Sequence, residues 1–497
     1  MNDMTLTDWQ AKAAALSIEG RAFIDGVYRD ASGSRTFDCK SPIDGRVLAR
    51  VADCGEAEVD FAVEAARRAF DEGTWCGLDP RRRKATLLRW AASIREHLDE
   101  LALLETLDAG KPIGDTTTVD VPGAAYCVEW FAEAIDKIGG EVAPADQHLI
   151  GLVTREPIGV VAAVVPWNFP ILMAAWKFAP SLAAGNSVVL KPSEKSPLTA
   201  IRIAQLAHEA GIPAGVFNVL PGGGEAGKLL ALHRDVDCIA FTGSTKVGKL
   251  IMQYAGQSNL KRVWLELGGK SPNIVLADCP DLDRAAKAAA GAIFYNMGEM
   301  CTAGSRLLVA RELKEAFLGK LVHAAAHYRP GNPLDPRTSM GAIIDRVQFD
   351  RVLSYIEAGR KEASLLLGGR EASVVNGGLY VEPTIFDEVR HDAGIAREEI
   401  FGPVLSVIAF DTVDEAVRIA NDTDYGLAAA VWTSDLTTAH EVSRRLRAGT
   451  VWVNCYDEGG DMNFPFGGYR QSGNGRDKSL HALEKYTELK STLLRLR

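Results

Sequence analysis

The eight cysteines of this 497-residue chain stand singly, at Cys39, Cys54, Cys76, Cys127, Cys238, Cys279, Cys301 and Cys455. No Cys-x-x-Cys pair exists, which argues against a zinc cluster or a disulfide framework and leaves no metal site to expect. Reduced thiols in turn suit the cytoplasm. Positive charge is also short: 55 Lys and Arg against 65 Asp and Glu give a net charge of −10, a poor match for nucleic acid or an anionic membrane. The first residues, Met1-Asn-Asp-Met-Thr-Leu-Thr-Asp8, lack the basic and apolar regions of a signal peptide. The most apolar region, 158–190, is interrupted by Pro166, Asn168, Pro170, Lys177, Pro180 and Asn186. It therefore reads as strand, loop, helix and strand inside a protein core, not as a membrane span. The glycine-bearing stretch 242–248 is neither the G-x-G-x-x-G fingerprint nor a P-loop, and no internal repeat or low-complexity tract is visible.

What remains is an ordinary globular composition, 47% apolar and 24% charged, in a chain long enough for two or three domains. Helical spacing predicts helices over 56–70, 80–107 and 121–138. From 158 to 248 short apolar strands alternate with helices, the βαβ pattern of a parallel sheet. A second α/β unit begins at 271–276, with helices over 282–295 and 313–328 and strands at 404–410, 429–432 and 451–453.

Three constellations carry chemistry. In Asn296-Met-Gly-Glu-Met-Cys301-Thr-Ala-Gly-Ser305 a cysteine sits in a Gly-flanked bend, and Leu265-Glu266-Leu-Gly-Gly-Lys270 places a carboxylate at a Gly-Gly turn. A thiolate that attacks an electrophilic carbon and a carboxylate that later activates water would make one two-step reaction. A buried structural cysteine satisfies the same segment equally well. Pro166-Trp-Asn168-Phe-Pro170 fixes an amide able to donate to a developing oxyanion, or is simply a Pro-bounded turn. Lys191-Pro-Ser-Glu194 follows a short strand, and Thr242-Gly-Ser-Thr-Lys-Val-Gly248 joins a strand to a helix; both suit a nucleotide, although a capped βα loop explains the second as well.

In their order along the chain these segments, with Glu398-Glu399-Ile-Phe401-Gly-Pro and Pro465-Phe-Gly-Gly468, resemble the NAD(P)-dependent aldehyde dehydrogenase superfamily over nearly the whole length. The ending Ser472-Gly-Asn-Gly-Arg-Asp-Lys-Ser479 is similar to the bacterial branch acting on ω-amino-, ω-guanidino- and γ-glutamylamino-butyraldehydes. The resemblance implies an α/β fold: a Rossmann-like cofactor domain (1–138 and 156–265), an α/β catalytic domain (266–464) and a small β oligomerisation flap (139–155 and 487–497). It implies a homo-oligomer, a dimer of dimers. It makes Cys301 the nucleophile, Asn168 with the Cys301 N–H the oxyanion donors, and Glu266 the base for thioester hydrolysis. Lys177 matches a residue assigned to proton relay. Trp167, Lys191, Glu194, Gly243, Ser244, Leu267, Glu399 and Phe401 would hold NAD, and Glu194 would crowd the 2′-phosphate of NADP. The nucleophile is expected to have a lowered pKa.

Around the substrate entrance the resemblance places Asp120, Trp176, Asp457, Asp461 and Phe466, acids and aromatic faces suited to a cationic far end. A γ-glutamylated aldehyde competes, but its carboxylate needs a basic partner that the sequence does not point out. The segment 456–461 looks one residue longer than in the relatives it otherwise matches, which leaves the register of Asp457 and Glu458 open, and the loop 221–227 looks one shorter. Other classes stay in view: a cysteine hydrolase or acyltransferase without nicotinamide, a CoA-acylating enzyme, a broad aliphatic or betaine-type dehydrogenase, and an inactive binding protein.

Overall fold

The computed structural model describes residues 4–458 and 461–497. Two seven-stranded, mostly parallel sheets dominate it. In the first, Arg262–Glu266, Cys238–Thr242, Val160–Val164, Ser187–Lys191 and Phe217–Val219 lie side by side and parallel, and the antiparallel strands Ala22–Ile24 and Val27–Arg29 complete the edge. Val160–Val164, Ser187–Lys191 and Cys238–Thr242 are buried at every residue. That is why they read as unbroken apolar runs: helices cover both faces of a parallel sheet.

In the second sheet Thr384–Asp387, Val404–Phe410, Arg306–Ala310, Pro272–Val275, Ala428–Trp432 and Thr450–Val453 run parallel, with Ser364–Leu367 antiparallel at one edge. Parallel register gathers the strand ends. Val164 pairs with Lys191 and Thr242 with Glu266, so the functional candidates of the first sheet crowd its carboxyl edge, where ligands of open α/β sheets bind. The chain then crosses from Glu266 to Pro272 and enters the second sheet at its amino edge, where Arg306 pairs with Pro272. Cys301 lies just ahead of a strand, and Thr450 begins one, at that same edge. The two edges face each other, and the space between them is the site.

A third sheet of three strands stands apart. Leu149–Pro157 pairs with Glu141–Ala143 on one side and with the tail Thr487–Arg495 on the other, the tail through nine residue pairs. Its strands overlap the segments 139–155 and 487–497, with Leu149–Pro157 running two residues past the first. The predicted helix over 80–107 is two helices, Pro80–Glu96 and Leu98–Ala109, broken at His97. The helix expected over 121–138 spans Val121–Ala134 and is entered through a π-helical turn, Thr116–Asp120. Among the described residues no helix is long and apolar enough to cross a membrane.

Candidate active site

A cavity of about 1100 Å³ opens between the two sheet edges, walled by Asn168, Cys301, Glu399, Trp176 and Phe466 among others. Its size suits a ligand larger than a small aldehyde alone. The cysteine reaches it through a contorted turn. After the helix Leu282–Phe294, Asn296 (φ 46°), Met297 (φ 55°) and Gly298 (φ 72°) are all left-handed. A Cβ on Gly298 would lie 2.3 Å from the Gly402 carbonyl oxygen, so glycine is the only fit. Strain of this kind persists where surrounding bonds over-determine it. Here Asn296 Nδ2 donates to the Asn168 carbonyl (3.0 Å) and to the Glu299 carbonyl (3.3 Å), and Asn168 Nδ2 donates to the Glu299 carbonyl (2.8 Å). The oxyanion candidate and the nucleophile candidate are thus tied into one unit.

Lys111 strengthens that unit from behind: its Nζ donates to the Asn168 carbonyl (3.2 Å), lies 3.5 Å from the Phe169 ring centre and pairs with Asp120 at 2.8 Å, all in a fully buried setting. This corrects the placing of Asp120 at the substrate entrance. Asp120 is buried against Lys111, whereas its neighbour Val119 reaches the cavity wall. The π-helical turn decides which residue of the pair faces inward, and no sequence period announces it.

The Cys301 thiol also departs from expectation. Burial pushes its pKa up, and Glu399, Asp457 and Glu266 push in the same direction; its own backbone N–H is the group that favours the thiolate. Glu266 is 3% exposed, and neither carboxyl oxygen has a hydrogen-bond partner among the described residues. Burial raises its pKa well above the usual range, helped by Asp477 and opposed by Lys177, Lys485 and Arg476. Glycines make its pocket: a Cβ on Gly467 would sit 2.7 Å, and one on Gly475 3.0 Å, from Glu266 Oε1. A buried carboxyl without partners is costly and calls for a reason; an acid poised beside a reacting centre supplies one. Lys177, next to it, pairs with Asp477 at 2.5 Å, and Lys485 grips the other oxygen of Asp477. That link carries Lys177 away from solvent and into this cluster.

The cofactor candidates lie where the carboxyl edge directs them. Gly243, Ser244 and Leu267 line the cavity, and Ser244 caps the helix Thr245–Gln257 by accepting from the Val247 N–H at 3.3 Å. That helix N-terminus is a natural seat for a pyrophosphate. Lys191 and the half-exposed Glu194, 3.5 Å apart, stand at the end of their own strand at the same sheet edge, outside the cavity wall. Glu399 Oε1 accepts from the Gly269 N–H at 2.9 Å, and burial pushes its pKa up to about 7. Phe401, left-handed at φ 58°, sets its ring edge-on to Trp167, 5.1 Å centre to centre. Gln348 holds this bend by donating to the Ile400 and Phe401 carbonyls at 3.0 and 2.7 Å. A dinucleotide fits this donor set: hydroxyl partners at Lys191 and Glu194, a helix N-terminus, and a carboxylate with an aromatic pair at the far end.

These features decide the comparison with known proteins. The aldehyde dehydrogenase family model matches residues 28–492. The chain belongs to the aldehyde dehydrogenase family. It is 83% identical to a solved γ-glutamyl-γ-aminobutyraldehyde dehydrogenase of Burkholderia cenocepacia J2315, which covers 99% of this chain and 100% of that one with a TM-score of 0.98. It is 54% identical, over 100% of both chains, to the NADP/NAD-dependent aldehyde dehydrogenase PuuC of Escherichia coli (strain K12). A mutant of P. syringae AldA, an indole-3-acetaldehyde dehydrogenase solved with NAD+ and IAA, is 62% identical over 99% of this chain and 100% of that one, with a TM-score of 0.98. The chain is an oxidoreductase acting on aldehydes.

Toward the cavity mouth, Trp176 and Phe466 pack at 5.1 Å between ring centres, and Asp457, Glu458 and Asp461 stand on the wall. Glu458 pairs with Arg284 at 3.1 Å and is engaged on its outer side. Asp461 accepts from the Asn463 N–H (3.1 Å) and Nδ2 (2.9 Å). The loop's Gly459 and Gly460, part of the segment whose register the sequence left open, lie outside the described residues. One basic group of the wall escaped the sequence reading: Lys478, quoted there only as part of an ending motif.

Proposed function

We propose that this enzyme uses NAD to oxidise a butyraldehyde bearing a nitrogen-containing far end, of the ω-amino, ω-guanidino or γ-glutamylamino type, to its carboxylic acid. The observation that carries the reading is the convergence of Cys301 and Asn168 on one cavity whose mouth holds acids and an aromatic pair, with Glu266 buried close enough to act on the Cys301 thiol. The printed names of the B. cenocepacia and E. coli relatives support the substrate class and the cofactor, and the NAD+ complex of AldA supports NAD. Such aldehydes arise in polyamine and arginine breakdown, which suits a cytoplasmic enzyme with eight free cysteines.

In the reaction, Cys301 Sγ adds to the aldehyde carbon while the Asn168 amide and the Cys301 N–H receive the oxyanion. NAD, when bound, supplies the hydride acceptor that lets the adduct at Cys301 become a thioester. Glu266 then takes a proton from water, which attacks the thioester and frees the acid. Burial holds the Cys301 thiol protonated, so its proton leaves to solvent through the open cavity as Sγ attacks, and Glu266 acts only in the hydrolytic half. Glu194 beside Lys191 favours NAD, whose ribose carries a hydroxyl where NADP has a phosphate.

Assembly belongs to the same proposal. The three-stranded sheet exposes Val142, Leu489, Leu493 and Leu494, an apolar edge that isolated chains avoid and that a second copy of this chain would cover. The deciding measurement is NADH formation over a panel of aldehydes, with NADP as a parallel cofactor. Turnover of the nitrogen-bearing aldehydes with NAD is expected. Absence of NADH with every aldehyde, or a preference for NADP, would overturn the corresponding part.

A further inference from the structure

Deep in the cavity mouth the backbone adopts a conformation that ordinary side chains avoid twice in succession: Lys478 has φ 60° and Ser479 φ 50°. Neighbouring bonds hold it there. The Asp477 and Phe466 main chains exchange hydrogen bonds of 2.7 Å, and the Ser479 N–H donates to the Met462 carbonyl at 2.7 Å. Backbone strain of this sort is kept where it aims a side chain. Here it aims Lys478 into the cavity wall, 8% exposed, with Nζ 5.0 Å from the Trp176 ring centre and 5.7 Å from that of Phe466. Asp457 and Asp461 share the wall with it.

A buried ammonium is expensive to hold. Aromatic faces and acids offset that cost, yet a tunnel meant for a plain ammonium or guanidinium gains nothing from a like charge beside the guest. Cation and acids together describe a different guest, one carrying both charges on neighbouring atoms. We propose that Lys478, with Asp457 and Asp461, reads an α-amino-acid head at the far end of the aldehyde, the carboxylate on Lys478 and the ammonium on the two acids. The inference rests on the proposed oxidation and deepens it. Of the three substrate types, it selects the γ-glutamylamino aldehyde over the purely cationic ones and makes Lys478 the specificity-determining residue.

The experiment compares kcat/KM for γ-glutamylaminobutyraldehyde, its α-methyl ester, 4-guanidinobutyraldehyde and butyraldehyde, which share the reacting end. With the wild-type enzyme, esterification should cost at least about tenfold, the scale of one lost charged hydrogen bond. In Lys478→Met, the γ-glutamyl-to-butyraldehyde ratio should fall by a similar factor, and the guanidino-to-butyraldehyde ratio should rise. Equal values for acid and ester in the wild type, or a fall of all substrates in step in the variant, would overturn the inference. The ester comparison needs no variant, so a Lys478→Met protein that fails to fold still leaves the question decided. A wild-type enzyme that makes no NADH from any of the four refutes the oxidation itself. One that oxidises butyraldehyde and the guanidino substrate but discriminates against the γ-glutamyl one refutes only the role of Lys478.

Discussion

A thiol whose pKa burial and three carboxylates push up gives Cys301 an unusual signature for a proposed nucleophile. Its pKa lies above the ordinary value, so in the cofactor-free enzyme the thiolate fraction is small at neutral pH and grows as pH rises. Iodoacetamide labelling of Cys301, read by mass spectrometry, is therefore expected to be slow near pH 7 and to accelerate steeply into the alkaline range. A plateau below pH 8 would contradict the raised pKa. Glu266 carries the second expectation. Glu266→Gln should keep a pre-steady-state burst of NADH and lose steady turnover by on the order of a hundredfold, whereas Cys301→Ala should lose both. Normal steady turnover in Glu266→Gln would reassign the base. Both candidates could be picked out in the sequence because each sits in a short local motif. The thiol's pKa could not, because its causes come from Glu399, Asp457 and Glu266, brought together only by the meeting of two sheet edges. Lys478 stood in a quoted motif, but two successive left-handed residues decide where it points, and nothing in its letters says so.

Elements show the same division. Continuous apolar strands such as Ser187–Lys191 were readable because covered parallel strands leave no alternation to confuse. The break at His97 and the π-helical turn at Thr116–Asp120 were not, because helical spacing continues through both. That turn sends Asp120 inward to Lys111, behind the Asn168 loop, and so converts an expected substrate contact into a support for the proposed oxyanion donor. Removing one member of a buried pair strands the other, typically at about 3–5 kcal/mol. Asp120→Ala should therefore lower the melting temperature markedly, and kcat should fall more than KM changes as the Asn168 carbonyl loses its anchor. A variant with native stability and a selective rise in KM for charged aldehydes would return Asp120 to the substrate side.

At the scale of the molecule, the last segment does two jobs. Gly473 bridges Glu266, Asn474 Oδ1 accepts from the Leu265 N–H at 2.8 Å, and Gly475 lies against the Glu266 carboxyl. The chain then runs through Lys485 into Thr487–Arg495, the outer strand of the three-stranded sheet. Deleting 487–497 should release smaller species in light scattering and reduce turnover, while Leu489→Lys with Leu493→Lys should affect assembly first. An unchanged mass in the double variant would place the interface elsewhere. This connection also sets an order of events during synthesis. Cys301 and its turn leave the ribosome long before the residues that seat Glu266. A chain still being made, or one cut short near its end, can present a nucleophile but has no positioned base to discharge what it captures. A chain cut short before these residues is therefore expected to lose steady turnover even though it carries Cys301.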